Sequence, residues 1–133
     1  MKTPLPELID RYTIAKLKAK RLGDEHSRKE FHEYKKAMAD AKKNGVRIER
    51  KWVERLYSIN RQMWDNGHEI RCGRGSNLGL EEIGRRYLKT RDLNKKRIAV
   101  KNEIARETGL EFMDIKMNER SHKHARAASA KRA

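Results

Sequence analysis

Asp65 and Glu69 stand four residues apart, a spacing that on a helix puts both carboxylates on one face and offers half of a divalent-cation site. In a helical bundle such a site draws further carboxylates from facing helices, and Asp10 and Asp92 are the candidates. Ion pairing of Asp65 and Glu69 with Arg61 and Arg71 is the simpler explanation of the same spacing. His68 and Cys72 lie nearby, yet no serine, cysteine and histidine arrangement carries a nucleophile signature. Gly73-Arg74-Gly75 has neither the P-loop pattern nor the full dinucleotide-binding fingerprint, and it reads as a plain connection. These residues predict no catalytic group, no metal and no cofactor, and a binding protein rather than an enzyme.

Cations are the stronger signal. Arg85, Arg86, Lys89, Arg91, Lys95, Lys96, Arg97, Lys101 and Arg106 outnumber Asp92, Glu103 and Glu107, the acids that follow Glu81-Glu82 in the same stretch. Intrahelical pairs cannot balance that many. Arg85, Arg86, Arg91, Lys95, Arg97 and Lys101 are the candidate anion-binding residues, with a solvated, solubilising face as the alternative. Lys16, Lys18, Lys20 and Arg21 form a second run at a helix end, where the helix dipole alone accounts for cations. Arg120, Lys123, Arg126, Lys131 and Arg132, interspersed with His122 and His124, form a third, suited to sequence-independent nucleic-acid affinity or to solubility alone. Asn60 and Asn94 fall on apolar stripes, where an unpartnered amide is costly. With Asp10 and Asp92 they are candidates for polar contacts between helices, as register-fixing hydrogen bonds or as ligand contacts.

The elements that must position these groups are helices. Pro6 suits the first turn of a helix with the stripe Leu8, Tyr12, Ala15, Ala19 and Leu22, closed by Gly23. Asp24 is placed to cap a second helix, with Phe31, Tyr34, Met38 and Ala41 on one side and Asn44-Gly45 as its stop, Val46 supplying the hydrophobic contact. A third is expected from about Ile48 to Arg71 through Trp52, Leu56, Ile59, Met63 and Ile70, with Trp64 buried between it and the next helix. After the glycine-rich stretch from Cys72 to Gly79, a fourth is expected from about Leu80 to Thr108, facing inward through Ile83, Tyr87, Asn94, Ile98 and Ala105 and ending at Gly109. The fold class predicted is all-α: an antiparallel bundle of about four helices over residues 1–110, followed by a basic tail over 111–133.

Composition agrees with thin, amphipathic packing. Hydrophobic residues make up 36% of the 133 and charged residues 40%, so each helix buries one stripe. Both prolines, Pro4 and Pro6, lie at the start, leaving the rest of the chain free for long helices. No apolar run approaches a membrane span, the first residues lead into a charged helix, and the single cysteine forms no intrachain disulfide. A soluble, unexported protein of the reduced cytoplasm is therefore expected, its oligomeric state open. The formal charge of +15 attracts nucleic acid, phosphorylated ligands, anionic surfaces or acidic proteins, and it chooses among none of them.

Three blocks of the chain together resemble a family of bacterial and phage proteins classed as a domain of unknown function. They are Glu7-Leu8-Ile9-Asp10 with Thr13-Ile14 and Lys16-Leu17-Lys18; Asn60 with Met63-Trp64 and Ile70-Arg71; and Arg91-Asp92-Leu93-Asn94 with Lys95-Lys96-Arg97, Lys101 and Ile104. The likeness covers about Leu5 to Leu110 and implies a helical fold and a phage or bacterial source, with no activity attached. It departs where the family carries an acidic pair after its Asn-x-x-Leu-Trp element: Gly67 and His68 stand there, with Glu69 one place later. A metal or general-acid role does not transfer across that departure.

Three functions follow. The first is a noncatalytic protein that uses the cations of the fourth helix, with the tail, to hold phosphates of nucleic acid or of a nucleotide-like ligand. The second is a phage or bacterial interaction protein docking its basic surface on an acidic host protein. The third is a metal-assisted enzyme on a phosphorylated substrate, built on Asp10, Asp65, Glu69 and Asp92.

Overall fold

The computed structural model describes residues 3–71 and 79–109, with only the backbone of 69–71. Four helices form a bundle: α1 over Leu5–Leu22, α2 over Glu25–Lys43, α3 over Arg50–Arg71 and α4 over Leu80–Thr108. No strand occurs among the described residues. None of the helices is long and apolar enough to cross a membrane.

Their ends follow from local chemistry. Pro4 and Pro6 sit at the start of α1, where a missing N–H leaves no intrahelical bond unmade. Gly23 closes α1 at φ 67°, donating its N–H to the Ala19 carbonyl, a left-handed turn that costs glycine little. The stop of α2 is a full Schellman motif: Gly45 N–H donates to Lys42 O and Val46 N–H to Ala41 O, both at 3.0 Å. Val46 and Ile48 then turn back onto the core, so the connection to α3 is anchored by its own side chains. Glu81 and Glu82 occupy the first turn of α4, the favourable end of its dipole for acids.

α1 packs against each of the other three helices, α3 pairs with α4, and α2 rests chiefly on α1. The cross-contacts set directions. Asn66 meets Arg86 and Thr90 while Arg55 meets Glu103, so α3 and α4 run antiparallel. The core joins Leu5 and Ile9 of α1, Met38 of α2, Trp52, Leu56 and Ile59 of α3, and Leu93, Val100 and Ile104 of α4. α2 adds only Met38 to that cluster and is held besides by the Tyr12 and Phe31 rings, 5.6 Å apart.

Two expectations are corrected. α4 presents Leu93, Val100, Ile104 and Ala105 to the interior, while Tyr87 and Ile98 remain 63% and 49% exposed. The helix is turned by roughly a quarter revolution from its apolar pattern, because the half-buried Arg86 and Arg97 share its inward edge and disguise it. On α3, Trp52 is the fully buried aromatic and Trp64 only half-buried. Twelve residues leave the two rings about a third of a turn apart, so they cannot occupy one stripe.

Trp52→Ala should therefore cost roughly 3–5 kcal/mol, the range for a buried large aromatic, and Trp64→Ala distinctly less. Urea unfolding of the two variants checks the order; an equal or larger loss at Trp64 would contradict the packing.

Candidate functional site

Beneath the α1, α3 and α4 crossing lies a cluster of polar side chains. Asp10 is completely buried, and Arg97 grips it from α4: Nε donates to both carboxylate oxygens at 3.1 Å and Nη2 to Oδ2 at 2.7 Å. Asn60 of α3 donates through Nδ2 to Asp10 Oδ1 and to Thr13 Oγ1, each at 2.9 Å, and the Thr13 hydroxyl donates to the Asp10 carbonyl. Lys101 bonds Glu7 at 2.6 Å and approaches Asp10 to 3.8 Å, while Arg97 Nη1 donates to the side-chain Oδ1 of Asn94. Spacing assembles this set: Glu7 and Asp10 are three apart on α1, Arg97 and Lys101 four apart on α4, so each pair shares a face. Arg97 and Lys101 thus face Asp10 and Glu7, with the exposed Arg11 adding a third cation 3.3 Å from Glu7, so the buried carboxylate is matched by positive charge, as its removal from water requires.

Burial pushes the Asp10 carboxyl up, but hydrogen bonds from Arg97 and Asn60, together with the charges of Arg97 and Lys101, more than offset it and hold the group below the usual carboxylate range. The Arg97 guanidinium is correspondingly raised, first by its bonds to Asp10. Asp10 is therefore ionised near neutrality, with both oxygens committed to partners inside the bundle.

A second buried amide, Asn66, donates to the Arg86 carbonyl at 2.6 Å and to Thr90 Oγ1 at 2.7 Å, locking α3 to α4. Nothing in the sequence pattern marks it. Between Asp65 and Gly67 it looks like solvated helix, and only a register for α4 would have placed Thr90 opposite.

The sequence-predicted cations separate into two sets. Arg97 and Lys101 point inward to Asp10 and Glu7. Arg85 pairs with Glu82 at 2.8 Å, Arg86 with the same residue at 3.2 Å, and Arg91 lies 3.7 Å from its neighbour Asp92. Lys95 is exposed, as are Lys89, Lys96 and Arg106, and no ion pair is made by these four among the described residues. Of the polar candidates, Asp10 and Asn60 meet in the buried cluster, Asn94 touches it through Arg97, and Asp92 faces solvent. Of the proposed carboxylates, Asp10, Asp65 and Asp92 are not brought together: Asp65 pairs with Arg21 and Asp10 with Arg97, and no three metal-ligating side chains converge among the described residues. The Glu69 side chain, Cys72, the connection over 72–78 and the tail over 111–133 lie outside the described residues.

Beside the cluster, a cleft of about 690 Å³ opens between α1 and α4 over a floor of α3. Its walls are Ile14, Leu17, Leu22, Met63, Trp64 and Tyr87. Asn60 and Thr90 are its polar groups, with His68 also lining it. No protein-family model matches the chain, and no curated protein or solved structure matches it significantly.

Asp10→Ala strands the Arg97 guanidinium and should cost about 3–5 kcal/mol, whereas Asp10→Leu with Arg97→Met should recover most of that loss. Comparable chemical denaturation midpoints for the single and the paired variant would contradict a charge-compensated cluster. The lowered Asp10 value also fixes a pH dependence. Its contribution is complete above the unfolded carboxyl value, about 3.9, and disappears as pH falls through the lower folded value. Acid unfolding followed by helical ellipticity should thus lose its steepest limb below about pH 4 in Asp10→Asn, relative to wild type; an unchanged profile would assign acid lability elsewhere.

Proposed function

We propose that this is a noncatalytic polyanion-binding protein that holds the phosphates of nucleic acid on the outer face of α4. The observation that carries the reading is the division of cations on that helix. Arg97 and Lys101 are engaged in the interior, whereas Lys89, Lys95, Lys96 and Arg106 stand exposed without acidic partners among the described residues, and Arg91 has only a distant one. From Lys89 to Arg106 these groups span about 25 Å of helix at 1.5 Å per residue, a length that meets several successive phosphates. With a net charge of +15, the whole molecule adds long-range attraction to that surface.

The buried polar contacts of α4 support the reading, because they fix which side of that helix turns to solvent. Asp10 is fully buried with both oxygens bonded to Arg97 and Asn60, which argues against its meeting a substrate. A nucleic-acid ligand and a single cysteine suit a reduced, cytoplasmic setting.

Phosphate contacts release condensed counterions, so binding should weaken steeply with salt. Changing Lys89, Lys95 and Lys96 to glutamine should lower the slope of log K against log salt on duplex DNA by about 2.7, at roughly 0.9 per lost contact. Deleting 111–133 should leave that helix-dependent part in place. An unchanged slope in the triple variant, with loss on deletion, would transfer the site to the tail. Failure of the wild type to bind nucleic acid at low salt would favour an acidic protein as partner.

A further inference from the structure

We infer that the cleft between α1 and α4 receives an unpaired nucleobase, so that the protein prefers single strands to duplex; this rests on the phosphate-binding role of α4. Trp64 and Tyr87 bring aromatic rings to the cleft from α3 and α4, and Tyr87 is 63% exposed beside the equally accessible Leu22 at 59%. On a chain with 40% charged residues, two such side chains beside one opening form an apolar seat that packing within the bundle does not require. The volume of about 690 Å³ lies within the usual range for small-molecule sites.

Its polar groups fit the edge of a heterocycle. Both amide protons of Asn60 go to α1, to Asp10 and Thr13, which leaves its carbonyl oxygen as an acceptor for an occupant. Thr90 accepts from Asn66, which leaves its hydroxyl proton to donate. An acceptor and a donor fixed by bonds behind them match the mixed donor and acceptor edge of a base. An apolar peptide side chain would leave both unused.

The phosphate has a place as well. Arg91 follows Tyr87 by four residues, so it stands one turn further along the same side of α4 and leads to Lys95. A base seated against Tyr87 would carry its phosphates toward those cations. Bases inside a duplex are stacked and paired and cannot enter.

The test uses the full chain and fluorescence anisotropy at fixed salt, with three labelled probes: a twelve-nucleotide single strand, its duplex, and the same strand made abasic throughout. The base-bearing strand should bind at least about tenfold more tightly than the abasic one, the scale of one base stacked on an aromatic residue. Tyr87→Ala should erase that advantage and leave abasic-strand affinity and its salt slope unaltered, whereas Tyr87→Phe should keep it; helical ellipticity verifies the fold of both. Equal binding of base-bearing and abasic strands would overturn the cleft assignment while leaving α4 as a phosphate surface. Binding of none of the probes would overturn the phosphate surface itself and the cleft with it. A nucleoside 5′-monophosphate at equal phosphate concentration separates the two sources of a base. Weak competition supports the strand, and displacement tighter than strand binding overturns it in favour of the free nucleotide.

Discussion

A single buried carboxylate organises this bundle. Asp10 lies where α1, α3 and α4 meet, and its bonds to Arg97 and Asn60, with the Asn60–Thr13 bond beside them, tie α1 to both neighbours. Leaving water is costly for a charge, and the cost is offset only when every partner is in position. The cluster thus sets the rotation of α4: the turn that delivers Arg97 and Lys101 inward also buries Leu93, Val100 and Ile104. α2, which contributes little to the core, is the element least constrained by this arrangement.

The same rotation decides what α4 can do outside. Residues that seem interchangeable along its sequence acquire opposite roles from their angle on the helix. Arg97 and Lys101 neutralise the buried Asp10 and the half-buried Glu7, Arg85 and Arg86 meet Glu82 near the helix start, and Lys89, Lys95, Lys96 and Arg106 face solvent. Asn60 links the interior to the surface, for its protons serve the buried cluster while the residue also lines the cleft.

Much of the fold was legible in the residues. Gly23, Asn44-Gly45 and Gly109 stop helices because left-handed backbone is cheap for glycine, and all three stops stand where the sequence places them. The spacing of Trp52, Leu56 and Ile59 marked the inward stripe of α3. The inward face of α4 was not legible, since it contains Arg97 and Lys101, and a charged residue reads as solvent until its buried partner is known. Asn60 was recognisable as a polar residue on an apolar stripe and Asp10 as a candidate carboxylate between helices, yet their meeting depends on how α1 crosses α3, fifty residues away in the chain. Asn66 left no periodic trace, and the cleft belongs to three helices at once.

The division of α4 into an inward structural set of cations and an outward binding set requires that a bound strand touch the second and spare the first. Amide chemical-shift mapping of the isotopically labelled chain with a short single strand tests it most directly. Perturbations are expected from Tyr87 to Lys96 and at Arg106 on α4 and around Trp64, with Asp10, Thr13 and Lys101 nearly unmoved. Perturbations confined to residues 111–133, or strongest at Asp10 and Lys101, would contradict it.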